Sequence, residues 1–324
     1  MSAAADFQDF FHSIRTKPTY VLLGVQGSGT NLLSNILARV FNLSMLHDRS
    51  LVVRAARRLG PRPTSLEVGH AYEAIRASIM KSGRQRKFQG GHTSDREFLA
   101  DMDRRFAEAD ISTADGLASF VYAYRAFRLG ATEVGIKSDD LWEHASALDH
   151  VLPNRRVILL TRDFRDHVVS VVNKPFGPVE PVAAAAWIQR RFHYYEREYQ
   201  ARQGGHHVRF EDLIRNPCHT IEHLGDRLGL TPVCCISAFV DNFTFKPGRI
   251  GRWTTLRRRD LEWCETILHR EMLDYGYERA TNTSYRPSRV DAIRVPLLDT
   301  VGRIRQKLTQ TARRLVPDSA RRDR

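Results

Sequence analysis

The sequence predicts an α/β fold: a three-layer arrangement around a parallel sheet, with a phosphate-binding turn, a helical insertion and a basic C-terminal helix. Three observations predict it. Short, continuous apolar runs recur along the chain, and each is followed by a stretch with helical spacing, the pattern of buried parallel strands alternating with helices. The first of these runs breaks into a turn carrying Gly24, Gly27 and Gly29. The charge is uneven. Of the net +13, residues 285–324 carry +7, with 11 Lys and Arg against 4 Asp.

Residues 1–18 read as a short helical lead-in that stops at Pro18. Tyr20 to Leu23 is the first buried strand, and Leu32, Leu33, Ile36, Leu37, Val40 and Phe41 then recur at spacings of three and four. Between strand and helix lies Gln26-Gly-Ser-Gly-Thr-Asn31. Glycine lets backbone N–H groups approach an anion closely, and the helix N-terminus adds a partial positive charge. A tight turn with no ligand is the competing reading of this stretch alone. The G-x-x-x-x-G-K-[ST] consensus of nucleoside-triphosphate enzymes fits Gly24 to Gly29, but its lysine slot falls on Thr30 and its hydroxyl slot on Asn31. A P-loop kinase is disfavoured on that count.

From Leu51 to Arg128 the chain is polar and rich in helical spacing, broken by Gly-Pro-Arg-Pro at 60–63 and by Gly90-Gly91. Its glycine-containing basic segment 82–93 reads either as a substrate lid or as a solvated loop. Glu133 to Ile136 is a second strand, ending on Lys137, with a helix expected through Leu148. Val157 to Thr161 is a third, strongly buried strand that ends on Arg162-Asp-Phe-Arg-Asp166 and a helix through Val172. A long helix follows over about 181–200. His207 to Phe210 is a further strand leading into Glu211, Asp212 and a helix to Leu228; the two carboxylates read as helix caps. No internal repeat or sharp linker appears, so 1–284 reads as one domain with an insertion at about 51–128, and 285–324 as a tail.

Composition narrows the function. A chain of 324 residues with 42% hydrophobic content is ample for a core. No apolar run approaches the roughly 18–20 residues of a membrane span, and the N-terminus lacks the pattern of a signal peptide. Cys218, Cys234, Cys235 and Cys264 show neither metal-ligand spacing nor a disulfide framework. A reducing, cytoplasmic setting is expected, with no bound metal. No nucleic-acid-binding signature is present, so the basic balance points to an anionic small ligand or surface. In the tail, Leu297, Leu298, Val301, Ile304, Leu308, Ala312 and Leu315 form an apolar stripe with basic residues beside it. Residues 295–316 therefore read as an amphipathic helix that docks on the protein itself or lies on an anionic membrane.

Four separated stretches carry a resemblance to a known family. Gln26-Gly-Ser-Gly-Thr30 resembles the 5′-phosphosulfate loop of sulfotransferases, usually Pro-Lys-Ser-Gly-Thr or Pro-Arg-Ser-Gly-Thr. The stretch from Leu160 through Arg162, Asp166 and Ser170 is similar to their 3′-phosphate motif. Phe210-Glu-Asp-Leu213 with Pro217 resembles their Tyr-Glu-Asp-Leu…Pro segment, and Lys246-Pro-Gly-Arg-Ile-Gly-Arg-Trp253 their Arg-Lys-Gly-x-x-Gly-x-Trp loop. The resemblance spans about residues 19–277. It implies transfer of a sulfuryl group from 3′-phosphoadenosine 5′-phosphosulfate, without metal, to an acceptor hydroxyl of a glycan, lipid or small molecule. It also implies that Gln26 to Asn31 hold the 5′ end of the donor. Arg162, Ser170, Lys246, Gly248, Arg249 and Gly251 would then hold its 3′-phosphate.

One position departs from the pattern. Where the family carries a lysine or arginine in the loop, this chain has Gly27, which removes a cation from the place where negative charge shifts during transfer. Either Lys137 replaces it, and a lysine restored at 27 raises activity, or the chain is a non-catalytic binder of the donor nucleotide. The resemblance also implies an acidic base about 15–20 positions past the loop threonine. Asp48 fits the position, and the adjacent His47 has the pKa better suited to neutral pH. A helix-flanking role is the alternative for both.

Overall fold

The structure is a computed structural model that describes residues 7–47, 50–81, 95–172, 174–202 and 205–282, together with Leu297, Thr300 and Ile304. In chain order the elements are α1 (Phe7–Thr16), β1 (Thr19–Leu23), α2 (Thr30–Val40), β2 (Leu43–Leu46), α3 (Leu51–Ala56), α4 (Ser65–Lys81), α5 (Asp95–Glu108), α6 (Ala114–Leu129) and β3 (Glu133–Lys137). There follow α7 (Leu148–Val151), β4 (Arg155–Thr161), α8 (Phe164–Val172), α9 (Pro181–Gln200), β5 (His206–Arg209), α10 (Phe210–Arg215) and α11 (Pro217–Leu228). The last are α12 (Ile236–Asp241), α13 (Arg258–Ile267) and α14 (His269–Asp274). Two compact units divide the chain: Met1–Gly24, Gly29–Leu160 and Tyr194–Phe245 in the first, and Val25–Ser28, Thr161–His193 and Lys246–Arg324 in the second.

The first unit is built on a five-stranded sheet of order β2-β3-β1-β4-β5. β1 runs parallel to both β3 and β4, with Leu22 opposite Lys137 on one side and Ile158 on the other. β2 pairs in parallel with β3, and Leu46 lies opposite Ile136. The connection after β1 runs to one side of the sheet and the connection after β3 crosses to the other. Strand order thus reverses around β1, and in such sheets the carboxyl ends beside the reversal are where ligands bind. Val21, Leu22, Ile136, Val157 and Ile158 are all buried, which is why their runs carry no polar alternation.

The insertion packs through aromatic side chains that it shares with α1. α4 opens on a reciprocal cap in which the Thr64 N–H donates to Glu67 Oε2 (2.7 Å) and the Glu67 N–H to Thr64 Oγ1 (3.3 Å). Tyr72 stacks on Phe106 at 3.8 Å and donates to Asp103. α1 is anchored on α6 through Phe7, whose ring meets Phe120 and Phe127 edge-on at 5.7 and 5.5 Å.

Two elements differ from the sequence reading. Leu43–Leu46 forms the edge strand β2, which a four-residue run directly after a helix does not announce; buried Ser44 accepts from Arg125 (2.5 Å). The helix expected through Leu148 is a 3₁₀ turn over Leu141–Ala147 followed by the short α7, interrupted at His144, whose backbone is not helical. The basic segment 82–93 and most of the tail lie outside the described residues. Of the tail's apolar stripe, Leu297 and Ile304 are described, and both are exposed.

Candidate functional site

The second unit holds the glycine turn's first half. Ser28 N–H donates to Val25 O (3.0 Å), closing the turn, and Gly27 sits at φ +100°. The Ser28 hydroxyl is buried (2% exposed) and has no hydrogen-bond partner among the described residues. Leaving a buried hydroxyl unpaired costs about 1–3 kcal/mol. This one fits a turn made to receive an anion.

Two consecutive carbonyls of the turn are held by side chains of the segment that follows β4. His167 Nε2 donates to Gln26 O at 2.8 Å, and Arg162 Nη1 donates to Gly27 O at 3.2 Å. His167 is buried, and burial, aided by the Arg162 charge, lowers its pKa to about 4. Its ring is therefore neutral, with the hydrogen on Nε2 fixed by the carbonyl it faces. A Cβ added to Gly27 would lie 3.3 Å from that ring and 3.3 Å from Ser170 Oγ. The φ favours glycine here, and a Cβ would need the ring and the hydroxyl to give by a few tenths of an ångström.

Arg162 makes a second anchor. It is only 4% exposed, and its Nη2 donates to Arg249 O at 2.5 Å, tying the 246–253 loop to the same guanidinium. A solvated arginine at the strand end is thereby excluded. The loop folds as two 3₁₀ turns, Pro247–Arg249 and Arg252–Thr255, joined by Gly251 at φ +78°. Asp166, fully buried on α8, accepts from the Gly251 N–H and the Trp253 N–H, each at 2.8 Å. Burial pushes its carboxyl pKa up, against the two N–H bonds that lower it. Arg165 stacks over the Trp253 ring at 4.2 Å and pairs with Asp163 (2.7 Å) and Glu265 (2.9 Å). Beside this loop opens a cavity of about 390 Å³ lined by Ser170, Lys174, Gly248, Arg249 and Arg252.

In the first unit, Gly29 caps α2 in the left-handed region at φ +110°, and a Cβ there would meet the Phe210 ring at 2.5 Å. Thr30 is buried in the first turn of α2, whereas Asn31 is exposed. Lys137 is buried, at 6% exposure, and donates to Asp139 Oδ1 at 2.6 Å. It is no solvated lysine. His47 follows β2 directly, and its Nε2 lies 2.6 Å from the Ser34 hydroxyl of α2. Both stand one step past the Leu46–Ile136 rung, at the carboxyl ends of adjacent parallel strands. Asp48 lies outside the described residues.

A family model described as a sulfotransferase family matches residues 18–233, well over half of the chain. The chain belongs to the sulfotransferase family. A solved sulfotransferase domain from the curacin biosynthetic pathway is 15% identical, with 81% of this chain and 98% of that one covered at a TM-score of 0.51. A sulfotransferase from Mycobacterium avium is 14% identical, with coverages of 84% and 81% and a TM-score of 0.45. No curated protein sequence matches significantly. The protein is thus a transferase of the type that uses 3′-phosphoadenosine 5′-phosphosulfate, on the α/β fold expected from its strands. Among the described residues no helix is long and apolar enough to cross a membrane.

Within this sulfotransferase the second unit brings together Gln26, Gly27, Ser28, Arg162, Ser170, Gly248, Arg249 and Gly251. Lys246 is exposed and does not line the cavity. Sequence reasoning missed His167, Lys174 and Arg252. His167 and Ser170 are three apart on α8, and that spacing was the signal that could have flagged the histidine.

Proposed function

We propose that this sulfotransferase moves a sulfuryl group from 3′-phosphoadenosine 5′-phosphosulfate to an acceptor hydroxyl of a glycan, lipid or small molecule. The observation that carries the reading is the buried, unpartnered Ser28 hydroxyl in a turn whose flanking carbonyls are already held by His167 and Arg162. With those two acceptors occupied, the Ser28 hydroxyl is left to donate to an anion. When bound, the donor supplies a sulfuryl group whose bond to the 5′-phosphate oxygen breaks as the acceptor oxygen bonds to sulfur. The Ser28 hydroxyl, the Gly29 and Thr30 N–H groups and the Thr30 hydroxyl bind the 5′-phosphate, and α2 adds its N-terminal field. Ser170 and Arg249 bind the 3′-phosphate, and Arg162 keeps their loop and the turn in register.

Lys137 supplies the cation that Gly27 lacks. Its pairing with Asp139 holds the ammonium at the carboxyl end of β3 in one place, the preorganisation that makes a charge effective in transfer. His47, oriented by Ser34, is the base that takes the acceptor's proton, with Asp48 beside it in sequence as the alternative.

Single-turnover transfer of labelled sulfate to a panel of hydroxyl and amine acceptors tests the reading. Label is expected on at least one hydroxyl class without added metal. Tight binding of 3′-phosphoadenosine 5′-phosphate with no transfer to any member would make the protein a nucleotide binder instead.

A further inference from the structure

Beyond the Lys137–Asp139 pair, two segments meet at the end of β3. The chain turns into the 3₁₀ segment Leu141–Ala147, whose second residue is Trp142. From the other direction α9 reaches the same strand end, where the Tyr195 hydroxyl donates to Asp139 O at 3.5 Å. Tyr194, one residue earlier on α9, sets its ring beside that of Trp142, with centroids 5.9 Å apart and planes at 45°. Successive residues of a helix point about 100° apart, so the two tyrosines serve different surfaces. Tyr195 is buried and fixes the helix, whereas Tyr194 is 40% exposed, with the half-buried Trp142 bracing it.

The charges of this segment are of one sign. Residues 138–147 contain Asp139, Asp140 and Glu143 and no lysine or arginine. Asp139 is engaged by Lys137, Asp140 is half-buried and accepts from Ser138 Oγ at 2.5 Å, and Glu143 is exposed. An arginine that reaches the segment, Arg57, is directed at buried His144. An aromatic ring beside carboxylates has a definite preference among hydroxyl acceptors. A pyranose lays its C–H face on the ring while its spare hydroxyls donate to carboxylate oxygens. A phenol or an alkyl alcohol offers a single hydroxyl, which transfer itself uses. An anionic acceptor is repelled by the same carboxylates.

We infer that Tyr194, braced by Trp142, is the acceptor platform of this sulfotransferase, and that the acceptor is a neutral saccharide whose hydroxyls donate to Asp140 and Glu143. The inference rests on the reading of the β3 end as the reacting centre. It narrows the acceptor from a glycan, lipid or small molecule to one class. Tyr194 and Trp142 orient the acceptor and move no proton.

Two measurements on the full chain test this with one panel: maltotriose, cellotriose and mannotriose as neutral saccharides, against trigalacturonate, 4-nitrophenol and octanol. Saturation-transfer NMR reads binding, and transfer of labelled sulfate from 3′-phosphoadenosine 5′-phosphosulfate reads kcat and KM. At least one neutral trisaccharide is expected to bind and to take label with a kcat/KM about tenfold above each other class. Tyr194→Ala and Trp142→Ala should raise its KM about tenfold while kcat stays within about twofold, and Tyr194→Phe, which keeps the ring, should hold the wild-type KM. Glu143→Gln removes a charge at an exposed position and should narrow the gap between neutral saccharide and trigalacturonate. Thermal melts show which variants fold, and Tyr194→Phe and Glu143→Gln keep the test decisive if an alanine variant does not. Preference for trigalacturonate, nitrophenol or octanol, or a folded Tyr194→Ala with the wild-type KM, overturns the inference. If a neutral trisaccharide binds in a Tyr194-dependent way and no acceptor takes label, the transfer reading fails and the platform stands. If no neutral trisaccharide binds while another class is labelled, the platform fails and the transfer reading stands.

Discussion

Gly27 and His167 act as a matched pair. The ring of His167 fills the space beside the turn where a side chain at 27 would stand, and its Nε2 hydrogen holds the preceding carbonyl. This geometry argues against the expectation that a lysine restored at 27 raises activity. A left-handed φ of +100° costs a residue with a Cβ about 1–2 kcal/mol, and the ring and Ser170 Oγ are already in tight contact distance. Gly27→Lys is therefore expected to weaken binding of 3′-phosphoadenosine 5′-phosphate and to lower turnover, and a gain in either would contradict the packing argument. His167→Ala removes one buried hydrogen bond, typically worth about 1 kcal/mol, and should weaken the same ligand about fivefold. His167→Gln retains an N–H donor and should recover much of that loss. Equal affinity in His167→Ala would mean that the turn holds its shape without the histidine. The pairing with His167 was not legible in the sequence, where Gly27 reads as a turn glycine and a missing cation.

At the scale of elements, β1, β3 and β4 were readable because each is a short, mostly buried run with a marked end, a glycine turn after β1 and polar residues after β3 and β4, while β5, with Val208 alone buried, was readable from the helix that follows it. β2 was not, since Leu-Ser-Met-Leu has no boundary of its own after α2. The 3₁₀ turn over Leu141–Ala147 was read as helix because its apolar spacing is close to helical, while the break at His144 depends on packing. The Lys246–Trp253 motif was readable as a loop, but its anchoring by Asp166 and Arg162 depends on distant residues. The end of β3 carries the sharpest functional prediction at this scale. Lys137→Ala is expected to lower kcat on the order of a hundredfold while the affinity for 3′-phosphoadenosine 5′-phosphate changes little, the signature of a contact made only during transfer. Asp139, partly exposed, can be solvated when its partner is removed, so the fold is expected to persist. Unchanged kcat would remove Lys137 from the mechanism.

Over the whole molecule, charge and burial combine in the response to acid. Among the described residues, three histidines have pKa values lowered to about 4: His167 on α8 and His206 and His207 on β5. Burial is the first cause in each case, followed for His206 by the charges of His223 and Arg227 and for His207 by that of Arg209. The unfolded chain takes up these protons near pH 6.5, while the folded chain resists them until about pH 4. Between those values the unfolded state binds more protons, so stability is full above about pH 6.5 and falls as the pH drops towards 4. Asp166 and Glu198 work the other way near the bottom of that window. Burial pushes their carboxyls up, so they take protons earlier in the folded state than in the unfolded one. Asp101 and Glu265, held down by hydrogen bonds despite burial, give up their contribution below the ordinary carboxylate range. The decline from pH 6.5 is therefore set mainly by the histidines, and it adds to the self-repulsion of a chain that already carries +13. Urea midpoints measured at steps from pH 7.5 to 4.5 should fall steadily below pH 6.5. His206→Gln or His207→Gln should flatten that fall, whatever each does to stability at pH 7.5. A midpoint constant over the range, or a slope unchanged in both variants, would show that these histidines protonate in the folded protein as freely as in water.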